Sequence, residues 1–473
     1  MKKLLLLLTI PFLMVIAECQ LPDKGYNFQV RVTGLSDSKL YLAYHLGNRQ
    51  YIKDSLTIDD KGIGVFFGDV TLDQGVYIMV LPGNRYFEFL ITEDQVFSIS
   101  CKIDDLLNSV SFQGSTDNTS FSEFQKEWAS LHKKSELLRS RIAAAGNNAD
   151  SIRVLTDATR LHENEMKAYM KKTIDENNGN YVAALIKAMM PVEVPDFKID
   201  EGLPNRDSLQ WIMSYNYNKD HFFDNFDPGD ERLLRSPMYH NKIEYYFTNV
   251  VLQYPDSLNK AVDKILQMAG RNPKTFQYTS VYLFNHFRES TIMGHDAVIV
   301  KIADEVYLSG KADWASEEFI TNLKRDVDKI RPSLIGNKAI NLTMETYKHG
   351  IQALEFIDAE YVVLYFWEPD CGHCKEATPI LRDFYNKQKQ NGVEVFTVCT
   401  QPDRAAWEKY INDNQLTWIN GWDPERSTHY DFFYNIVSTP TVFILDKNKT
   451  IIAKRLPVES IEAFIEAHRK FGR

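Results

Sequence analysis

EYVVLYFWEPDCGHCKEATPILR, residues 360–382, is the stretch on which the reading of this chain turns. Its first part, Tyr361 to Trp367, is apolar and rich in β-branched and aromatic residues, the composition of a buried strand. A turn holding Pro369 follows, and Cys371-Gly372-His373-Cys374 then opens a segment whose apolar positions recur at helical spacing. Two cysteines three residues apart on a first helical turn share one face, close enough for their sulfurs to bridge. Cys371 comes first, where orphan backbone N–H groups and the positive end of the helix dipole favour a thiolate, the attacking species in disulfide exchange. Cys371 is therefore the expected nucleophile, and Cys374, one turn deeper, the thiol that resolves the mixed disulfide. A cationic His373 between them would favour the thiolate over the disulfide and make the couple more oxidising. Pro379, which has no N–H to give the helical ladder, is expected to kink the helix.

The run FWEPDCGHCK, the proline five positions after Cys374, and the distant Ser438-Thr439-Pro440-Thr441-Val442-Phe443-Ile444-Leu445-Asp446 together resemble the thioredoxin superfamily. Within it, the pattern is similar to the TlpA-like thiol:disulfide oxidoreductases of the bacterial envelope, over residues 335–473. The resemblance implies that Cys371 and Cys374 are the redox pair, with His373 between them and Lys375 as the basic residue after them. It also implies that Trp367 is the aromatic before the motif, that Pro440 is a cis-proline facing the dithiol, and that the Thr439 backbone pairs with a substrate peptide. Catalytic roles thus fall to Cys371, Cys374, His373 and Pro440, and substrate binding to Trp367 and Thr439. The chain departs from the family at Tyr365, where thioredoxin has a buried Asp that assists proton transfer, and at Ala377, where several TlpA-like proteins have a Glu. Glu368 and Glu376 are neighbouring carboxylates, and the proton shuttle stays open between them.

Outside this stretch, composition excludes more than it assigns. With 473 residues the chain has room for about three domains, and 44% hydrophobic residues supply ample cores. A net charge of −10 without clustered Lys and Arg argues against a nucleic-acid partner. MKKLLLLLTIPFLMVIAEC, residues 1–19, has the basic start, short apolar run and small residue (Ala17) of an export signal, which points to the periplasm or cell envelope. Cys19 at its end leaves open an outer-membrane lipid anchor, although Glu18 is a poor residue to precede a lipidated cysteine. Five cysteines are too few to staple an exported chain of this length, so the dithiol reads as catalytic.

The expected architecture is multi-domain: an export signal at 1–19, an all-β sandwich or barrel at 24–115, an α-helical region at 118–332, and an α/β thioredoxin-like fold with a mixed sheet at 335–473. YNFQVRVTGL, KLYLAYHLG, YIKDSLTI, GVYIMVLPG, RYFEFLITE and QVFSISCKI alternate apolar and polar residues between turn signals, as short strands do. Cys101, in the last of them, reads as a small buried hydrophobe, or else as a disulfide partner of Cys19. Residues 121–144 and 150–177 repeat apolar positions at helical spacing and should form an antiparallel hairpin. The helical pattern continues over 205–330 with prolines at helix starts. His221, Asp224, Asp227 and Asp230 read as a solvated acidic loop, and His286 and His295 have no metal-ligand spacing. In the last domain, residues 331–345 read as a lead-in, GVEVFTVCT as a central strand ending at Cys399, TPTVFILDKNKTIIAKRL as a hairpin and VESIEAFIEAHRKF as the closing helix. Cys399 is either a buried strand cysteine or a third redox thiol.

The leading expectation is exchange of disulfides with exported proteins through Cys371 and Cys374, needing no cofactor and no metal. Its partners would be protein thiols and disulfides and a membrane or periplasmic electron donor. Three other readings stand beside it. Cys371, His373 and Cys374 are soft ligands for copper or zinc, but a structural zinc needs four ligands and no second pair is spaced to complete them. A thiol peroxidase of this superfamily carries Thr or Ser three positions before its reactive cysteine, where this chain has Glu368. In the third, the β and helical regions bind a partner and the dithiol is accessory.

Overall fold

The computed structural model describes residues 25–200 and 202–472, so the export signal expected at 1–19 and the lipid anchor at Cys19 lie outside the described residues. Two compact units form. One holds the chain up to Glu193 with Phe222–Phe226 and Glu231–Asn241; the other holds Val194–His221, Asp227–Asp230 and everything from Lys242 on. The helical stretch between the two β-containing regions contributes to both units.

The first unit begins with eight strands: β1 (Tyr26–Thr33), β2 (Lys39–Leu46), β3 (Arg49–Thr57), β4 (Ile63–Gly68), β5 (Gly75–Leu81), β6 (Arg85–Ile91), β7 (Val96–Lys102) and β8 (Ser111–Gln113). They make two four-stranded sheets, in the orders β4-β1-β7-β8 and β3-β2-β5-β6. Strict alternation along β1 turns Tyr26, Phe28, Val30 and Val32 inward, where they share one core with Leu42, Met79 and Phe89 of the other sheet. The outcome is a sandwich, the first of the two expected alternatives. Cys101 lies in that core as a free thiol. Strands β4 and β8 have no counterpart in the sequence reading; both lie at sheet edges and carry little alternation. Helices Thr116–Ala144 and Ala149–Glu176 follow, capped by the Ser115 and Asn148 side chains. They pack as an antiparallel hairpin, with Phe124 stacked on Tyr169 at 5.8 Å and Lys134 bonded to Glu165 at 2.7 Å.

In the second unit, helices Pro255–Ala269 and Pro273–Glu289 start on prolines whose missing N–H would have had no helical partner. Helices Asp296–Ile302 and Glu317–Ile330 lead on to a seven-stranded mixed sheet. Its strands are β9 (Thr343–Thr346), β10 (Gly350–Ala353), β11 (Tyr361–Trp367), β12 (Val393–Cys399), β13 (Ile419–Trp422), β14 (Thr441–Asp446) and β15 (Ile451–Lys454), in the order β10-β9-β13-β12-β11-β14-β15. The lead-in is thus more than a connector: β9 pairs with β13 and extends the sheet as a hairpin with β10. Gly421 permits that approach, because a Cβ there would stand 2.6 Å from Met344 Sδ and 2.9 Å from the Thr397 carbonyl.

Strand β11 is central, parallel to β12 and antiparallel to β14, and buried along its whole length. Tyr361, Val363, Tyr365 and Trp367 face one core; Val362, Leu364 and Phe366 face another. A strand covered on both faces reads as a continuous apolar run, which is why this one stands out in the sequence. The first core is closed by the helix Gly372–Gln388 through Cys374, Ala377, Leu381 and Phe384. That helix runs through Pro379 without ending, and the hydroxyl of Thr378 donates to the Cys374 carbonyl at 2.7 Å.

Candidate active site

At the carboxyl end of β11 the chain turns through Glu368, Pro369 and Asp370 and enters the helix at Cys371, its N-cap. The extended backbone of Cys371 (φ −69°, ψ 123°) aims the side chain back at the first turn, so the Cys374 N–H donates to Cys371 Sγ at 3.3 Å. Where a serine or aspartate would offer an oxygen, this helix offers a sulfur. Cys371 is half-buried, whereas Cys374 is wholly buried among Tyr365, Trp367 and Leu381. Both are free thiols.

Opposite them lies the loop before β14. The Cys371 thiol donates to the Thr439 carbonyl at 3.4 Å, and the Thr439–Pro440 peptide bond is cis. Thr439 and Pro440, with Val437, Ser438, His373 and Glu376, line a groove of about 620 Å³ together with Arg455 to Glu459. The structure therefore brings Cys371, Cys374, His373, Thr439 and Pro440 together from two distant segments.

The two thiols are driven apart electrostatically. Partial burial opposes ionisation of Cys371, but hydrogen bonds from the Cys374 thiol and N–H, from Thr439 and from the His373 N–H hold it below the ordinary thiol value. Burial, reinforced by the bond to Cys371, pushes Cys374 well above it. The Cys374 thiol is the strongest of these donors, and the backbone amides of the first helical turn add to it in favouring charge on the outer sulfur. His373 contributes here through its main chain, and its imidazole is exposed at the groove rim.

Trp367 is placed otherwise than the resemblance implies. It is 1% exposed, pairs across the sheet with Cys399 and packs on the Tyr410 ring at 5.0 Å, so it has no surface to offer a substrate. Cys399 is equally buried; its thiol donates to the Gln401 carbonyl at 3.8 Å, and burial pushes it up to about 12. That is the environment of an inert strand cysteine. Of the two candidate carboxylates, Glu368 is half-buried and accepts from the Thr400 hydroxyl at 2.5 Å, while Glu376 is exposed on the groove. Among the described residues, no three His, Cys, Asp or Glu side chains gather as metal ligands. No helix of the described residues is long and apolar enough to cross a membrane.

The sequence reading missed one part of the groove lining, Arg455 to Glu459. The one signal was Pro457 closely following the hairpin, which shows a turn but not what the turn faces.

Comparison with known proteins falls on this same region. Residues 358–451 match the family model described as Thioredoxin-like. A thiol-disulfide oxidoreductase ResA of Geobacillus kaustophilus is 28% identical over 136 residues, which are 28% of this chain and 77% of that relative. A ResA of Bacillus cereus is 23% identical over 135 residues, with the same shares. Among solved structures, a domain of a possible thiol-disulfide isomerase from Cytophaga hutchinsonii is 35% identical, covering 29% of this chain and 94% of that one with a TM-score of 0.28. The thioredoxin domain of a thiol-disulfide oxidoreductase from Bacteroides vulgatus is 26% identical, covering 28% and 95% with a TM-score of 0.27.

Proposed function

The C-terminal domain of this chain belongs to the thioredoxin-like family, and from that premise we propose that the protein is a thiol:disulfide oxidoreductase acting through Cys371 and Cys374. The observation that carries the reading is the contrast between the two sulfurs. One is accessible at a helix start with its ionisation favoured; the other is enclosed with its ionisation opposed.

Reduction of a substrate proceeds in two exchanges. The Cys371 thiolate attacks one sulfur of the substrate disulfide along the groove, forming a mixed disulfide and releasing the other substrate sulfur as a thiolate, which takes up a proton. Cys374 then gives up its proton and attacks Cys371 Sγ. The Cys371–Cys374 disulfide forms, the second substrate thiolate leaves, and two electrons have passed to the substrate. Run backwards, the same steps oxidise a dithiol. His373 and Glu376 stand at the groove where an incoming chain would lie, and Thr439 offers its main chain to that chain beside Pro440. The substrates would be disulfides or dithiols of exported proteins, and the pair would be recharged by an electron donor in the envelope.

The experiment is turnover of a protein disulfide such as insulin with dithiothreitol as reductant. Wild type should accelerate it, and both Cys371→Ser and Cys374→Ser should lose at least about a hundredfold, the loss expected when one member of a two-step relay is gone. Acceleration retained by Cys371→Ser would refute the reading.

A further inference from the structure

Resting on the redox reading above, we propose that Asp296 and Lys454 are positioning residues that set the outer wall of the groove and thereby select which protein disulfides reach Cys371. Lys454 closes β15, and the five residues after it, Arg455 to Glu459, are that wall. Its side chain is 5% exposed. The ammonium donates to the Ser333 carbonyl at 2.7 Å and pairs with the carboxylate of Asp296, the first residue of helix Asp296–Ile302. Its backbone N–H donates to Met293 Sδ at 3.3 Å, and Met293 itself packs against the core that holds Cys374.

One residue on, Arg455 takes a left-handed backbone (φ 56°), and its N–H donates to the Val442 carbonyl at 2.7 Å, two positions past Pro440. The wall thus leaves the sheet from a point fixed on one side by Lys454 and on the other by β14, the strand that follows Thr439 and Pro440. A left-handed non-glycine residue persists only where its surroundings determine it. Segment 290–296 and Ser333 lie outside residues 358–451, so the groove of the thioredoxin-like domain is shaped partly by chain that the family match does not include.

Simple adhesion between segments explains the pair poorly. Burying an ammonium is costly, and an apolar side chain would hold two elements together at less cost. What a bonded ammonium adds is direction, since three donors on one nitrogen must meet placed acceptors. A small disulfide needs only the sulfur of Cys371. A folded protein must also clear the wall on both sides of its own disulfide.

The test uses the full chain and two substrates: insulin, a protein disulfide, and 5,5′-dithiobis(2-nitrobenzoate), a small one. In Asp296→Asn, the KM for insulin should rise at least about fivefold with kcat within about twofold, while the rate with the small disulfide is unchanged. The double variant Lys454→Met/Asp296→Leu removes the charges while keeping an apolar contact, and should show the same KM rise. Insulin KM unchanged in both variants, parallel loss with both substrates, or wild-type KM in the double variant alone would overturn the proposal. Wild type inert to both disulfides would remove the redox reading itself, and the proposal with it; wild type active with KM unmoved would remove the proposal alone.

Discussion

Cys371 and Cys374 differ by one helical turn and by nearly everything that governs a thiol. The outer sulfur accepts N–H donors that favour its charge, so its reaction with iodoacetamide across a pH series should titrate with a midpoint below the ordinary thiol value. A midpoint at or above that value would contradict the electrostatic account. The same asymmetry has a stability consequence. Because the folded pKa of Cys371 is depressed, its contribution to the reduced fold is present above the unfolded thiol value and is lost as pH falls through the folded one. Cys374 and Cys399 act in the opposite sense: their contributions are complete below the unfolded value and erode as pH rises towards the folded ones. Cys399→Ala should leave disulfide exchange unaltered and cost about 1–2 kcal/mol of stability, read from denaturant unfolding, for the buried atom removed. A fall in exchange rate at constant fold would restore Cys399 as a redox thiol. Residue types and spacing alone suggested the roles proposed for the two motif cysteines. They did not reveal that Trp367 is core, since an aromatic at the end of a strand points into a core or out of it according to the register of the pleat.

The strand–turn–helix element is what positions the outer sulfur, and its integrity depends on the apolar face of the helix. Leu381 is fully buried against β11, so Leu381→Ala should destabilise the unit by about 2–5 kcal/mol in denaturant unfolding while leaving the groove residues in place. A cost under about 1 kcal/mol would mean that the helix is held by its ends rather than its face. Strand β11 and the motif helix were plain in the sequence because one is apolar throughout and the other has helical periodicity. Strands β9 and β10 were not: TMET and GIQA are four residues each, lie at the sheet margin and bury only alternate or terminal residues. Strands β4 and β8 were hidden for the same reason. Edge strands take their identity from the neighbour they pair with, and a linear pattern carries little of that information.

For the molecule as a whole, two compact units divide the helical region between them, and the second unit supplies Met293, Asp296 and Ser333 to the back of the groove wall. None of these was readable as part of a site, because each meets Lys454 only through the tertiary fold. The division of labour follows from this: the dithiol turn supplies the chemistry, and the chain before it shapes what the dithiol can meet. Isolating residues 335–473 would strip Lys454 of its contacts with Met293, Asp296 and Ser333, and should lower the unfolding midpoint relative to the same unit in the full chain. Equal midpoints would show that the preceding helices lend it no support. The proposed exchange depends, in the end, on which sulfur attacks first. In Cys374→Ser, incubation with a protein disulfide should trap a stable mixed disulfide, and peptide mass mapping should find it on Cys371. No trapped species, or a species mapped to Cys399, would contradict it.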